Sequence, residues 1–194
     1  MAQQVRLDEQ GLSRAELMAL RNKRSGVFIF QLSWILVFVC LIVVNLQIRS
    51  NFPSWPPNGV AALSPVLPTL ATLTLIVSGL LARRALGSIR AAQTRAFLGQ
   101  WGIALALGVI FLAIMAYEFI GIQISGQYST IFRVMTAFHG LHALIIGIVM
   151  WNVYQSARVG NYDAVRHWAV EATAKMWYFV VVAWIMFYTV LYII

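Results

Sequence analysis

Charge is what this sequence has least of. Only 10% of its 194 residues are charged, six of them acidic, against 61% hydrophobic. A soluble domain carries about 25% charged and about 45–50% apolar residues. The shortage of charge and the mean hydropathy of +0.79 together exclude an ordinary soluble enzyme and a disordered chain. Cysteine is nearly absent: Cys40 stands alone in an apolar run, so no internal disulfide and no Cys-x-x-Cys metal cluster exists. Proline is missing outside Pro53–Pro68, which leaves every other apolar run free to be helical. There is no Walker glycine loop, no nucleophile elbow and no dinucleotide fingerprint. The net charge of +8 would suit nucleic acid if its bases were clustered. They punctuate apolar runs instead, which points to a membrane surface and no nucleic-acid partner.

What is present is long charge-free runs: 25–48, 50–82, 96–117, 134–157 and 176–194. About 20 apolar residues cross the hydrocarbon as a helix. Each run supplies one crossing, so the pattern predicts an all-α integral membrane bundle of five helices near 27–49, 64–86, 98–122, 132–156 and 173–193. No strict alternation supports a β-barrel. The chain divides into a polar, amphipathic segment 1–24 and a transmembrane domain 25–194. The first segment suits an interfacial lead-in helix or a partner-binding arm. Ser64-Pro65 reads as an N-cap and first helical residue, and Trp55 suits a headgroup region.

Twelve Lys and Arg residues fall in the N-terminal segment and the two loops on its side of the membrane; only Arg49 and Arg133 fall on the other. The positive-inside rule then predicts a cytoplasmic N-terminus and an outside C-terminus.

Few ionisable groups interrupt the spans. Glu118, near the outer end of the third helix, suits a polar anchor to a neighbouring helix, a headgroup contact, a proton route, or a carboxylate at the water interface. His139 and His142, three apart, share a helix face. They suit a metal pair or structural hydrogen bonds within the bundle, including one from His139 to Glu118 at similar depth. No third metal ligand is evident. Gly140 and Gly147 suggest close helix approach on the fourth helix. Glu171 and Lys175 form an i,i+4 pair, worth only a few tenths of a kcal/mol if exposed. Trp177, Trp184 and Leu191 recur at seven and mark a packing face. The count of five helices and the lack of central charges argue against a transporter. Residue by residue, the chain reads as a small polytopic subunit of a larger membrane complex.

Two segments resemble subunit III of haem-copper respiratory oxidases. Thr136-Ala137-Phe138-His139-Gly140-Leu141-His142, followed by Ile145-Ile146-Gly147, is similar to the family's T-G-F-H-G-x-H element. His167, Glu171 and the run Trp177 to Tyr188 resemble its H-x-x-x-E segment and closing W-H-F-V-D-V-V-W helix. Trp55-Pro56-Pro57 with Gly59, Ala116 to Phe119, and Arg21 to Ser33 add weaker matches in family order. The likeness is to the short, five-helix bacterial form. Where the family carries a first-helix glutamate this chain has Trp34; Tyr178 replaces a histidine, Val181 an aspartate and Met115 a glutamine. The lost acids count against a direct proton role.

The resemblance implies a non-redox accessory subunit, not catalytic alone, of a proton-translocating terminal oxidase in a bacterial inner (plasma) membrane. It implies no cofactor or metal in this chain, haem and copper in partner subunits, and phospholipid held between helices. The implied partners are the catalytic subunit I, with subunit II. The residues carried over as lipid or structural polar contacts are Glu118, His139, His142, His167, Glu171 and Trp184, with Arg84 and Arg90 as cytoplasmic headgroup candidates. A nitric oxide reductase or quinol oxidase subunit, and a small transporter or assembly protein, are the alternative readings.

Overall fold

In the computed structural model, residues 12–60, 63–121 and 126–194 are described. They form five helices long and apolar enough to span a membrane: α1 (Arg14–Ser50), α2 (Val66–Arg90), α3 (Thr94–Gly121), α4 (Gln127–Arg158) and α5 (Trp168–Tyr188). The last turn of α5 widens into a π-helix, Thr189–Ile193. Among the described residues there is no strand. The helices α2, α3, α4 and α5 pack as a closed ring, with α2 against α3 the most extensive pair. Helix α1 lies outside the ring, mainly on α5, and buries only Phe38 and Asn45.

The helix boundaries follow local chemistry and differ from the expected spans in places. Helix α1 starts at Arg14, well before position 27, because Ser13 and Glu16 form a reciprocal capping box: Ser13 Oγ accepts from the Glu16 amide, and the Glu16 carboxylate accepts from the Ser13 amide at 2.9 Å. Its 37 residues reach about 55 Å at 1.5 Å per residue, far longer than the hydrocarbon is thick. Within the described residues, the polar lead-in and the first span are therefore one rod. Residues 1–11 of the expected N-terminal segment, and residues 123–125 of the third loop, lie outside the described residues. Helix α2 begins at Val66, with Pro65 as N-cap and no side-chain cap, so Ser64 does not cap it. Thr69 Oγ1 bonds the Pro65 carbonyl instead, at 2.6 Å. Helices α2 and α3 join through only Ala91–Gln93, where Ala92 adopts φ 57°. Helix α5 starts at Trp168, five residues earlier than expected, which brings Glu171 inside it.

Three buried tryptophans tie the ring together. Trp177 Nε1 on α5 donates to Ser78 Oγ on α2 at 2.9 Å, and Ser78 Oγ donates on to the Ala104 carbonyl of α3 at 2.6 Å. Trp184 Nε1 donates to Thr72 Oγ1 on α2 at 2.8 Å, and Trp101 Nε1 on α3 donates to the Met150 carbonyl on α4 at 3.0 Å. An indole buried in an apolar bundle needs a partner for its N–H, and here each finds one on a neighbouring helix. The seven-residue spacing of Trp177, Trp184 and Leu191 thus lies along the inner face of α5, with both tryptophans buried and Leu191 half-buried.

The close helix approaches are made by other glycines than those expected. A Cβ on Gly108 would sit 2.8 Å from the Trp177 ring, and one on Gly79 would sit 2.9 Å from Val181. Gly140 and Gly147 have open space at the same position and line outward grooves between α3 and α4. Replacing Gly108 with Val is therefore expected to displace Trp177 and cost about 1–3 kcal/mol, whereas Gly140→Ala should be near neutral. Thermal unfolding of the two variants in detergent, followed by tryptophan fluorescence, measures the difference.

Candidate functional site

The richest polar arrangement lies at the end of the bundle where α1, α3 and α5 begin and α2 and α4 finish. It centres on Glu171, whose side chain is only 2% exposed. Lys175 Nζ donates to Glu171 Oε1 at 2.7 Å, one turn further along α5. Arg24 Nη2 on α1 donates to Oε2 at 3.2 Å, and Arg90 Nη2 on α2 lies 3.6 Å from the same oxygen. One carboxylate thus joins three helices. The Glu171–Lys175 spacing is legible in sequence, but the pair is not the exposed surface pair the spacing suggests. Nothing in the sequence marks Arg24 as a partner: it is separated from Glu171 by 147 residues, and only the tertiary fold brings the two together.

His167 sits directly before α5 and is also buried. Arg90 Nε donates to its Nε2 at 3.4 Å. The turn that presents His167 is shaped by Asp163, whose Oδ1 accepts from the Arg166 amide at 2.6 Å and the Val165 amide at 2.8 Å. Those two N–H groups, led by that of Arg166, hold the Asp163 carboxyl below its ordinary value of 3.8. Arg84, the other basic candidate on α2, is exposed and stands apart from this cluster.

The two histidines of α4 serve different neighbours. His139 is 1% exposed, enclosed by Phe38 of α1, Phe111 of α3 and Trp184 of α5. Its Nε2 donates to the Val180 carbonyl of α5 at 3.0 Å, using an oxygen lone pair that the helix leaves over. His142 Nδ1 instead donates to the Phe138 carbonyl within α4 at 2.7 Å, and its ring meets Trp34 edge-on with centroids 4.5 Å apart. The Trp34 indole therefore packs on His142. Among the described residues no group of three or more His, Cys, Asp or Glu side chains comes together.

The expected Glu118–His139 contact does not form. His139 turns to α5, and half-buried Glu118 has no hydrogen-bond or ion-pair partner among the described residues. It lies within electrostatic reach of Tyr192, at the far end of α5. The antiparallel packing of α3 and α4 does bring the helices together. The rotation of α4 about its axis, which sequence spacing leaves open, decides where His139 points.

Comparison with known proteins identifies relatives over nearly the whole length. A family model for cytochrome c oxidase subunit III matches residues 10–194. The chain is 32% identical to cytochrome c oxidase subunit 3 of Synechocystis sp. over 176 residues, covering 87% of this chain and 74% of that protein. It is 33% identical to the Thermostichus vulcanus protein of the same name over 174 residues, covering 87% and 86%. The platypus, Ornithorhynchus anatinus, has a relative with that name at 32% identity, covering 71% of this chain and 54% of its own length.

Removing one partner of a buried pair leaves charge uncompensated and typically costs about 3–5 kcal/mol, while a half-exposed pair is worth under about 1 kcal/mol. Glu171→Ala is therefore expected to lower thermal stability sharply, since three cations lose their shared carboxylate. Lys175→Met, whose side chain is 42% exposed, should lower it far less. Thermal unfolding of both variants in detergent checks the order. Asp163 gives a pH signature of known sign. Its folded value lies below its unfolded one, so the carboxylate steadies the turn above the unfolded value and the benefit is lost as pH falls through the folded one. Proteolysis at the 161–167 turn should rise over that acid window, and Asp163→Asn should remove the pH step.

Proposed function

The chain belongs to the cytochrome c oxidase subunit III family, and from that membership we propose that it works as the non-catalytic subunit of a haem-copper oxidase. The family match across residues 10–194 carries the reading. The catalytic partner, subunit I, holds haem and copper and reduces oxygen; subunit II completes the core of the complex. This chain contributes a rigid multi-pass bundle on which that partner packs. Its polar groups support a structural role, since the Glu171 cluster, His139 and the tryptophan N–H groups each bind one helix to another.

The complex lies in a bacterial plasma membrane, with the N-terminus of this chain in the cytoplasm. The basic end formed by Arg24, Arg84, Arg90 and Lys175 then faces the cytoplasm, in keeping with the distribution of Lys and Arg along the sequence. Phospholipid forms part of the assembly. Two almost wholly apolar grooves of about 390 and 420 Å³ run along α3 and α4, a lining that suits acyl chain. Exposed Arg84 offers a cation at the headgroup level, a contribution of about 1 kcal/mol to anionic-lipid attraction.

Purification of the tagged chain in mild detergent is expected to bring a haem-bearing subunit with it, visible in the absorption spectrum, together with a copper-site subunit. A stable complex without any haem-bearing subunit would overturn the reading. Co-purification of a nitric oxide reductase core instead would reassign the chain within the same fold. Arg84→Gln should reduce the anionic phospholipid retained by the purified complex without removing the haem subunit.

A further inference from the structure

Helix α1 leans on α5 and only touches α4, which leaves a crevice between α1 and α4 along the membrane-spanning part of the bundle. Trp34 of α1 meets His142 of α4 there, edge-on, with ring centroids 4.5 Å apart. We infer that this crevice is the docking face for a transmembrane helix of a neighbouring subunit that presents a hydroxyl side chain. The hydroxyl donates to His142 Nε2 and accepts from Trp34 Nε1. That a partner exists rests on the proposed role above; where it docks, and through which group, rests on these side chains.

The two rings present opposite, unfilled hydrogen-bonding groups. A backbone carbonyl only accepts, so His142 Nδ1, 2.7 Å from the Phe138 oxygen, carries the ring proton. The uncharged imidazole then offers Nε2 as an acceptor. The Trp34 indole offers only an N–H donor. Neither Nε2 nor Nε1 has a hydrogen-bond partner among the described residues, and both half-buried rings carry these atoms at the surface of the bundle. An acceptor and a donor thus stand side by side with nothing to fill them.

Depth decides what can fill them. Trp34 lies ten residues beyond Arg24, the anchor of α1 on Glu171, or about 15 Å along the helix. That is about half the thickness of the hydrocarbon, where water is not at hand. Phospholipid puts only acyl chain at this level, and acyl chain neither donates nor accepts. A charged side chain is too costly there. A serine, threonine or tyrosine hydroxyl does both, and hydroxyls of this kind join transmembrane helices to one another. The walls suit a helix as well. Exposed Phe30 and Val37 share the Trp34 face of α1, and exposed Leu141 and Ile145 adjoin His142 on α4.

The test uses the full chain in its native membranes, with photoreactive benzoylphenylalanine in place of Phe30 or of Leu141. Irradiation is expected to join both positions to one transmembrane segment of one partner, within a turn of a Ser, Thr or Tyr. Trp34→Phe, His142→Phe, and removal of that partner hydroxyl should each lower the chain retained on the complex in a detergent titration by about fivefold, the loss expected of one hydrogen bond. Removing the partner hydroxyl should have no further effect in the His142→Phe chain. Trp34→Phe keeps an aromatic ring against His142 and deletes only the indole and its N–H, and thermal unfolding of that variant should match the unsubstituted chain. Crosslinks to lipid alone, a partner segment without a hydroxyl, or full retention of both variants overturns the docking face. Lipid-only crosslinks in a complex that still holds a haem-bearing subunit overturn the docking face and leave the oxidase reading standing. Crosslinks to a hydroxyl-bearing helix in a complex without haem support the docking face and overturn that reading.

Discussion

Inside a bilayer no water is at hand to satisfy a polar group, and this constraint orders the whole bundle. The chain buries three of its seven tryptophans among apolar neighbours, so each of those indole N–H groups must find an acceptor on protein. Trp177 finds Ser78, which in turn reaches the carbonyl of Ala104, and this short chain of donors links α5, α2 and α3. Trp184 reaches Thr72, and Trp101 reaches the Met150 carbonyl. Because acceptor positions are few, the donors fix how each helix is rotated. Dispersion forces alone would hold apolar helices together with far less preference for one rotation. The same fit explains the glycines. Trp177 can lie across α3 only because Gly108 has no side chain, and Gly79 lets Val181 of α5 close in on α2.

The second fixed point is the Glu171 carboxylate. Burying one charge is expensive, and the cost is offset here by Lys175 from the same helix and by Arg24 and Arg90 from two others. That arrangement matters most for α1. The ring of α2 to α5 closes without it, and α1 is held at its basic end by Arg24 and further along by Phe38, which meets Phe138, Phe179 and Phe187. A helix secured at a few points, with most of its surface turned outward, is well suited to lie between a stable bundle and a neighbouring subunit or lipid.

The amino-acid sequence by itself determined the number of helices, their approximate spans and the family. Hydrophobic run length is set by bilayer thickness, so five charge-free runs translate directly into five crossings. The motif around His139 and His142, and the His167–Glu171 spacing, carry the resemblance for the same reason that they carry structure: both place polar groups at fixed points on helices. Local signals are less complete. The capping box of Ser13 and Glu16 is present in the sequence, yet hydropathy places the start of the span later, because it marks where lipid begins and not where hydrogen bonding begins.

Only the tertiary structure decided which partners the polar residues take. Spacing puts Glu118 and His139 at similar depth, but helix rotation sends His139 to the Val180 carbonyl and leaves Glu118 near Tyr192. Spacing makes Glu171 and Lys175 a surface pair, but Arg24 and Arg90 converge from distant parts of the chain and bury the carboxylate. Glycines that look suited to close packing, Gly140 and Gly147, border open grooves, while Gly79 and Gly108 take that role. The physical reason is common to all three. Periodicity along one helix fixes which residues share a face, whereas the neighbour each face meets depends on the rotation and order of every helix in the ring.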